Sequence, residues 1–153
     1  MNNLFAPLWL SVQLAAMTTI LLLVIATPIA WWLANSKSRW KPLIQTVVAM
    51  PIVLPPTVMG FYLLILLGPA GALGSWWVDL TGNALTFTFT GLVIASCIYS
   101  LPFAVQPLTA AFESLGRQKI EAAWTLGASR LDAFFSVAVP LSLRGYLGAV
   151  VLS

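Results

Sequence analysis

The chain has 153 residues, of which 60% are hydrophobic and only 7% are charged. An ordinary soluble domain carries about 25% charged residues, so this chain has too few to cover a folded surface that faces water. It has seven basic residues, four acidic residues and no histidine, the commonest metal ligand and general base. We therefore expect an integral membrane protein with no catalytic residue, no metal site, no cofactor and no affinity for nucleic acid.

The charged residues leave three long runs of the chain entirely free of charge. These runs cover residues 1–36, 42–78 and 80–112. Each exceeds the roughly 20 apolar residues that a helix needs to cross the hydrocarbon core. They do not alternate between apolar and polar residues as the strands of a membrane barrel do. The pattern predicts an all-α membrane protein.

The first span is predicted at residues 8–34. A polar stretch at residues 35–42 follows it and holds Lys37, Arg39 and Lys41, which are three of the seven basic residues. Clustered basic residues mark the loops that stay in the cytoplasm. We therefore expect the N-terminus outside the cell membrane and this stretch inside, with the nearby tryptophans as anchors at the interface.

The next two spans are predicted at residues 43–67, interrupted by prolines, and at residues 87–112. The loop between them, residues 68–86, contains no Lys or Arg and fits the outer face. Residues 113–140 form a second cytoplasmic segment, rich in charge. Residues 141–153 turn apolar again, but 13 residues reach only about 20 Å. We expect an incomplete fourth span and a C-terminally truncated chain, so that residues 1–153 are one partial transmembrane domain.

The second cytoplasmic segment predicts a helix, a tight turn and another helix. Residues 120–126 favour a short helix, and Gly127 suits the position after its end, where a left-handed conformation is needed. Ser129 and Asp132 match the capping pattern that starts a new helix. Pro140 fits a turn or the first position of the next span.

This segment resembles the EAA loop of ABC importer permeases. Residues 121–140 read EAAWTLGASRLDAFFSVAVP, against the family pattern E-A-A-x3-G-x9-I-x-L-P. Val137 and Val139 replace the family's Ile and Leu conservatively. The resemblance implies a type I ABC importer permease fold, with this loop as the helix that couples the membrane domain to a cytoplasmic ATPase. The coupling residues that it implies are Glu121, Ala122, Ala123, Leu126, Gly127 and Pro140.

A second resemblance concerns residues 50–64, which read MPIVLPPTVMGFYLL. This run is similar to the second helix of molybdate importer permeases. Prolines leave backbone groups unpaired, which a spanning helix tolerates where it faces protein or a water-filled cavity. The break therefore suggests a translocation path through Pro55, Pro56, Thr57 and Gly60, although a kink that only shapes helix packing explains the prolines equally well.

The two resemblances together imply a multi-pass permease subunit in the bacterial inner membrane that imports a small oxyanion, with molybdate favoured. They also imply its partners: cytoplasmic ABC ATPase subunits, a second permease subunit in a homodimer, and a periplasmic substrate-binding protein. Sulfate, tungstate or another small solute is the alternative cargo, and a non-transporting assembly subunit is the alternative function. An intramembrane enzyme is disfavoured because the spans contain no titratable Asp, Glu, Lys or His.

Overall fold

The computed structural model describes residues 5–152, without the side chains of residues 117 and 130. Every regular element in this part of the chain is helical, which confirms the all-α prediction. Three helical stretches are long and apolar enough to cross a membrane: Phe5–Asn35, Pro56–Thr81 and Phe89–Leu115. A bent pair, Leu131–Leu141 with Leu143–Leu152, makes a fourth if it counts as one span.

Helix α1, Phe5–Asn35, contains the whole of the first predicted span. One stripe of its surface is buried, at intervals of three or four residues that bring side chains to one face of a helix. This stripe packs mainly against α5, Phe89–Leu115. Its buried residues are Thr18, Leu22, Ala26, Ala30 and Leu33.

The second predicted span, residues 43–67, is two helices in the structure. Helix α2, Lys41–Val53, ends at Leu54, and α3 runs over Pro56–Leu67. A residue that precedes proline is pushed into an extended conformation. Tandem prolines impose this twice, so that Leu54 has a ψ of 136° and Pro55 a ψ of 140°. Two extended residues in succession end the helix.

The predicted outer loop, residues 68–86, is largely helical. After a turn at residues 68–71, α4 covers Ala72–Thr81 and ends at Gly82 with a φ of 73°. The apolar stretch that is long enough to cross the membrane here is Pro56–Thr81, whereas α2 is a shorter apolar helix. The local pattern does not predict this helix, because Trp76, Trp77 and Asp79 are also typical of a loop at the membrane interface.

Helix α5 lies at the centre of the bundle and packs against α1, α2 and the last helix. It begins at Thr88, whose side-chain oxygen accepts a hydrogen bond from the backbone N–H of Gly91 at 3.1 Å. The last helix approaches α5 closely at Gly145, where an added Cβ would lie 2.4 Å from the Cβ of Ala111. The buried residues of α5 that form the core are Ala104, Val105, Leu108, Phe112 and Leu115.

Four short elements follow α5: α6, Arg117–Thr125; α7, Arg130–Ala133; a π-helical segment, Phe134–Ala138; and α8, Val139–Leu141. Helix α9, Leu143–Leu152, then turns away from the preceding helical run by 67°. Ser142 lies at this bend, and its N–H is shared between the carbonyls of Ala138 and Val139, both at 3.1 Å. We call the part from α6 to α7 the coupling hairpin.

Candidate functional site

The turn of the coupling hairpin is closed by a complete set of backbone hydrogen bonds. Gly127 has a φ of 89°, which confirms the left-handed conformation predicted for it. Its N–H donates to the carbonyl of Trp124 at 3.0 Å, and the N–H of Ala128 donates to that of Ala123, also at 3.0 Å. This pair of bonds is the Schellman arrangement, which satisfies the last carbonyls of a helix. The turn at Gly127 thus sets the direction in which the chain leaves α6.

The start of α7 carries the predicted reciprocal cap. The Ser129 hydroxyl accepts a hydrogen bond from the N–H of Asp132 at 3.2 Å, and the Asp132 carboxylate accepts one from the N–H of Ser129 at 3.2 Å. The Ser129 hydroxyl also donates to that carboxylate. These hydrogen bonds hold the pKa of the Asp132 carboxyl below its ordinary value because they favour its charged form.

The coupling hairpin exposes most of the residues that the EAA resemblance implies. Glu121, Ala122 and Gly127 are exposed, Ala123 is half-buried, and the side chain of Leu126 is 88% exposed. An exposed leucine beside two small residues and a carboxylate presents a surface on which a second protein can pack closely. Pro140 lies apart from this surface, exposed in α8.

An aromatic cluster ties the chain beyond the hairpin to the long helices, and no local pattern in the sequence predicts it. The ring of Phe134 lies 5.0 Å from that of Trp31 in α1 and 6.2 Å from that of Phe112 in α5. Phe112 also stands 6.2 Å from Tyr146 in α9. Trp31 packs edge-on between Phe112 and Phe134.

One ion pair joins the two segments that carry the basic residues. The Lys41 ammonium lies 3.1 Å from the Glu113 carboxylate, between the start of α2 and the last turns of α5. Both side chains are partly exposed. The contact places residues 35–42 and the coupling hairpin at the same end of the bundle, as the shared positive charge predicts.

The structure brings only part of the predicted translocation path together. A groove of about 390 Å³ lies between α1, α3 and α5, and Pro56 and Gly60 line it. Pro55 and Thr57 are exposed and are not among the residues that line this groove. Hydroxyl groups from α1 and α5 form much of its polar lining, which the sequence prediction missed because they come from helices distant along the chain.

The described residues bring together no group of three His, Cys, Asp or Glu side chains that could hold a metal ion. The candidate functional features of the described residues are the exposed coupling hairpin at one end of the bundle and a groove whose lining includes hydroxyl groups.

Comparison with known proteins gives the chain's relatives. A family model described as "Binding-protein-dependent transport system inner membrane component" matches residues 26–153. The chain is 54% identical over 147 residues to the molybdenum transport system permease protein ModB of Azotobacter vinelandii, covering 96% of this chain and 65% of that protein.

Two further relatives carry the same name. The protein of Haemophilus influenzae is 35% identical over 143 residues, covering 94% of this chain and 62% of the relative. The protein of Escherichia coli (strain K12) is 33% identical over 151 residues, covering 96% of this chain and 66% of the relative. The chain thus spans slightly less than two thirds of the length of these relatives. It belongs to the family of binding-protein-dependent transport system inner membrane components.

Proposed function

We propose that this chain is part of the permease subunit of an ATP-driven importer that carries molybdate across the inner membrane. The observation that carries the proposal is the exposed coupling hairpin, which holds the EAA pattern at one end of a bundle of apolar helices. Family membership supports the transporter class. The relatives, whose names specify molybdenum transport, support the substrate.

The coupling hairpin docks on a separate cytoplasmic ATPase subunit, which carries out the hydrolysis of ATP. The carboxylate of Glu121 makes polar contacts at this joint, Ala122 and Ala123 allow close approach, and Leu126 fills an apolar recess on the ATPase. The turn at Gly127 keeps these groups in one arrangement. A docked element of this kind transmits rigid-body motion between two proteins.

The aromatic cluster passes this motion on to the membrane helices. Phe134 follows the hairpin directly and packs on Trp31 of α1 and Phe112 of α5. Packed interiors transmit displacement because they have few voids and low compressibility. A shift of the hairpin therefore moves α1, α5 and α9 together. Alternation of these helices between two positions opens the path to one side of the membrane and then to the other.

The complete transporter contains a second copy of the permease subunit, two ATPase subunits and a periplasmic binding protein that selects the oxyanion. The translocation path passes Pro55, Pro56, Thr57 and Gly60 at the break between α2 and α3. That Pro56 and Gly60 line a groove whose mostly apolar lining includes hydroxyl groups supports the position of this path. Binding along the path is weak, since tight binding would slow release.

The test is transport by the full-length subunit, reconstituted in liposomes with its ATPase and binding protein. We expect molybdate-loaded binding protein to stimulate ATP hydrolysis and molybdate uptake, with tungstate, which has the same shape and charge, behaving similarly. Stimulation by sulfate-loaded binding protein alone would support the importer function but refute molybdate as the substrate. A complex that hydrolyses ATP without taking up any of the three anions would refute the proposal.

A further inference from the structure

The lining of the groove between α1, α3 and α5 is mostly apolar and includes five side chains with hydroxyl groups. Ser11 and Thr18 lie seven residues apart on one face of α1, and Ser96, Tyr99 and Ser100 share one face of α5. No charged side chain lines the groove. Because the surrounding helix surfaces are apolar, five hydroxyls in one place are a concentration of polar groups that packing alone does not require.

Thr18 differs from the other helical threonines for which the structure gives a hydroxyl partner. The hydroxyls of Thr27, Thr46 and Thr109 donate to the carbonyl four residues earlier, at 2.6, 2.9 and 2.7 Å. Thr18 is only 4% exposed, yet its Oγ1 has no hydrogen bond partner. A buried hydroxyl without a partner is costly, and it is an exception that calls for an explanation such as a bound group.

The backbone on the opposite wall of the groove is also unusual for a membrane helix. Pro56 lines the groove directly after the interruption at Leu54 and Pro55. One turn later, Gly60 faces open space, because an added Cβ would meet no atom within 4 Å. The absence of a side chain there keeps the groove wide.

We propose that this groove holds water and binds a tetrahedral oxyanion through hydroxyl donors alone, with Thr18 as the most deeply buried donor. An oxyanion presents only acceptor oxygens, and a hydroxyl can turn its proton towards one of them. The Ser11 hydroxyl, which donates to the Pro7 carbonyl at 2.9 Å, would have to leave that partner to do so. A wall without cations binds the anion weakly enough to let it pass. This inference rests on the proposed transport function and specifies the chemistry of its path.

Cysteine accessibility tests the groove without depending on transport. In the full-length subunit assembled with its ATPase, and with Cys97→Ser as background, Ser96→Cys places a thiol in the groove. Ile65→Cys is the matched control, since Ile65 is 53% exposed on α3 and does not line the groove. We expect a membrane-impermeant methanethiosulfonate to label the Ser96→Cys protein and not the Ile65→Cys protein, and we expect molybdate or sulfate to slow this labelling. A Ser96→Cys protein that is unreactive, or that reacts at the same rate with and without both anions, would overturn the proposal.

Removal of the buried hydroxyl tests the role of Thr18. Thr18→Val keeps the shape of the side chain, and Thr27→Val on the same helix is the control, since its hydroxyl already bonds to the Leu23 carbonyl. Loss of one hydrogen bond to a charged group should lower oxyanion uptake about tenfold or more in the Thr18→Val protein, with little change in the Thr27→Val protein. Equal uptake by the two variants would refute this role.

The two experiments separate the groove from the proposed function. If the parent complex imports molybdate but the groove thiol is unreactive, the groove proposal alone fails. If the parent imports no oxyanion while molybdate or sulfate still protects the Ser96→Cys thiol, the groove is supported and the proposed transport function is wrong.

Discussion

Replacing Gly127 with valine should uncouple ATP hydrolysis from transport. Gly127 has a φ of 89°, and an added Cβ would meet no atom within 4 Å, so the cost is conformational and not a clash. A left-handed conformation costs an L-residue about 1–2 kcal/mol, and more for a β-branched side chain. That energy corresponds to about a 5- to 30-fold decrease in the ratio of the native turn to its alternatives. The two hydrogen bonds that close the turn are lost when it relaxes.

The assay is uptake of molybdate and hydrolysis of ATP by the full-length subunit in liposomes with its ATPase and binding protein. We expect uptake to fall about 5- to 30-fold in the Gly127→Val protein while it still inserts into the membrane. Gly127→Asn should retain most of the uptake, since asparagine enters the left-handed region more easily than other residues with a side chain.

Gly82→Val is the matched control. Gly82 ends α4 with a φ of 73°, and an added Cβ there also meets no atom within 4 Å, so valine imposes a similar backbone strain away from the hairpin. We expect this variant to keep the ratio of uptake to ATP hydrolysis. Normal uptake by the Gly127→Val protein would refute the coupling role, and an equal loss in both variants would show that the effect is general destabilisation.

Three further predictions concern the connections of the hairpin and the orientation of the chain. Phe134→Leu removes ring contacts at 5.0 and 6.2 Å, each worth about 0.5–1.5 kcal/mol. We therefore expect a lower melting temperature in detergent and less uptake per ATP hydrolysed. An unchanged ratio of uptake to hydrolysis would mean that the cluster does not transmit motion from the hairpin. The partly exposed pair of Lys41 and Glu113 should contribute at most about 1 kcal/mol. Charge reversal at either residue should reduce transport modestly, and the double exchange should restore it; no recovery in the double variant would contradict a direct pair. In the Cys97→Ser background, Asn83→Cys, which is exposed and follows the candidate span Pro56–Thr81, should react with an impermeant thiol reagent from outside, and Ser38→Cys should not. The reverse pattern would overturn the assigned orientation.

Much of the helical organisation could be predicted from the sequence because its causes are local. The charge-free runs placed α1 and α5 to within a few residues of the observed bounds, Phe5–Asn35 and Phe89–Leu115. The cap formed by Ser129 and Asp132 and the turn at Gly127 were also predicted, since their hydrogen bonds join residues at most five apart. Such bonds depend on the chain's immediate neighbours and not on the rest of the fold.

The prolines of the second region show where local signals become ambiguous. Pro51 lies inside α2, whereas Pro55 and Pro56 end that helix and begin the next. A single proline costs a spanning helix only part of its backbone hydrogen bonding, and neighbouring groups can compensate. Tandem prolines force two successive residues into extended conformations. The sequence marked all three prolines as interruptions, and only the structure distinguished the proline inside a helix from the pair that separates two helices.

Tertiary structure alone decided which distant residues meet. Trp31, Phe112, Phe134 and Tyr146 form one aromatic cluster although they come from four different elements. The groove between α1, α3 and α5 likewise combines residues of α1 and α5 that are more than 70 positions apart. Charge and hydropathy determined that this chain crosses a membrane, because the energy of a residue in lipid depends on its own side chain. Helix packing determined which rings form the aromatic cluster and which side chains line the groove, because both depend on which faces of separate helices meet.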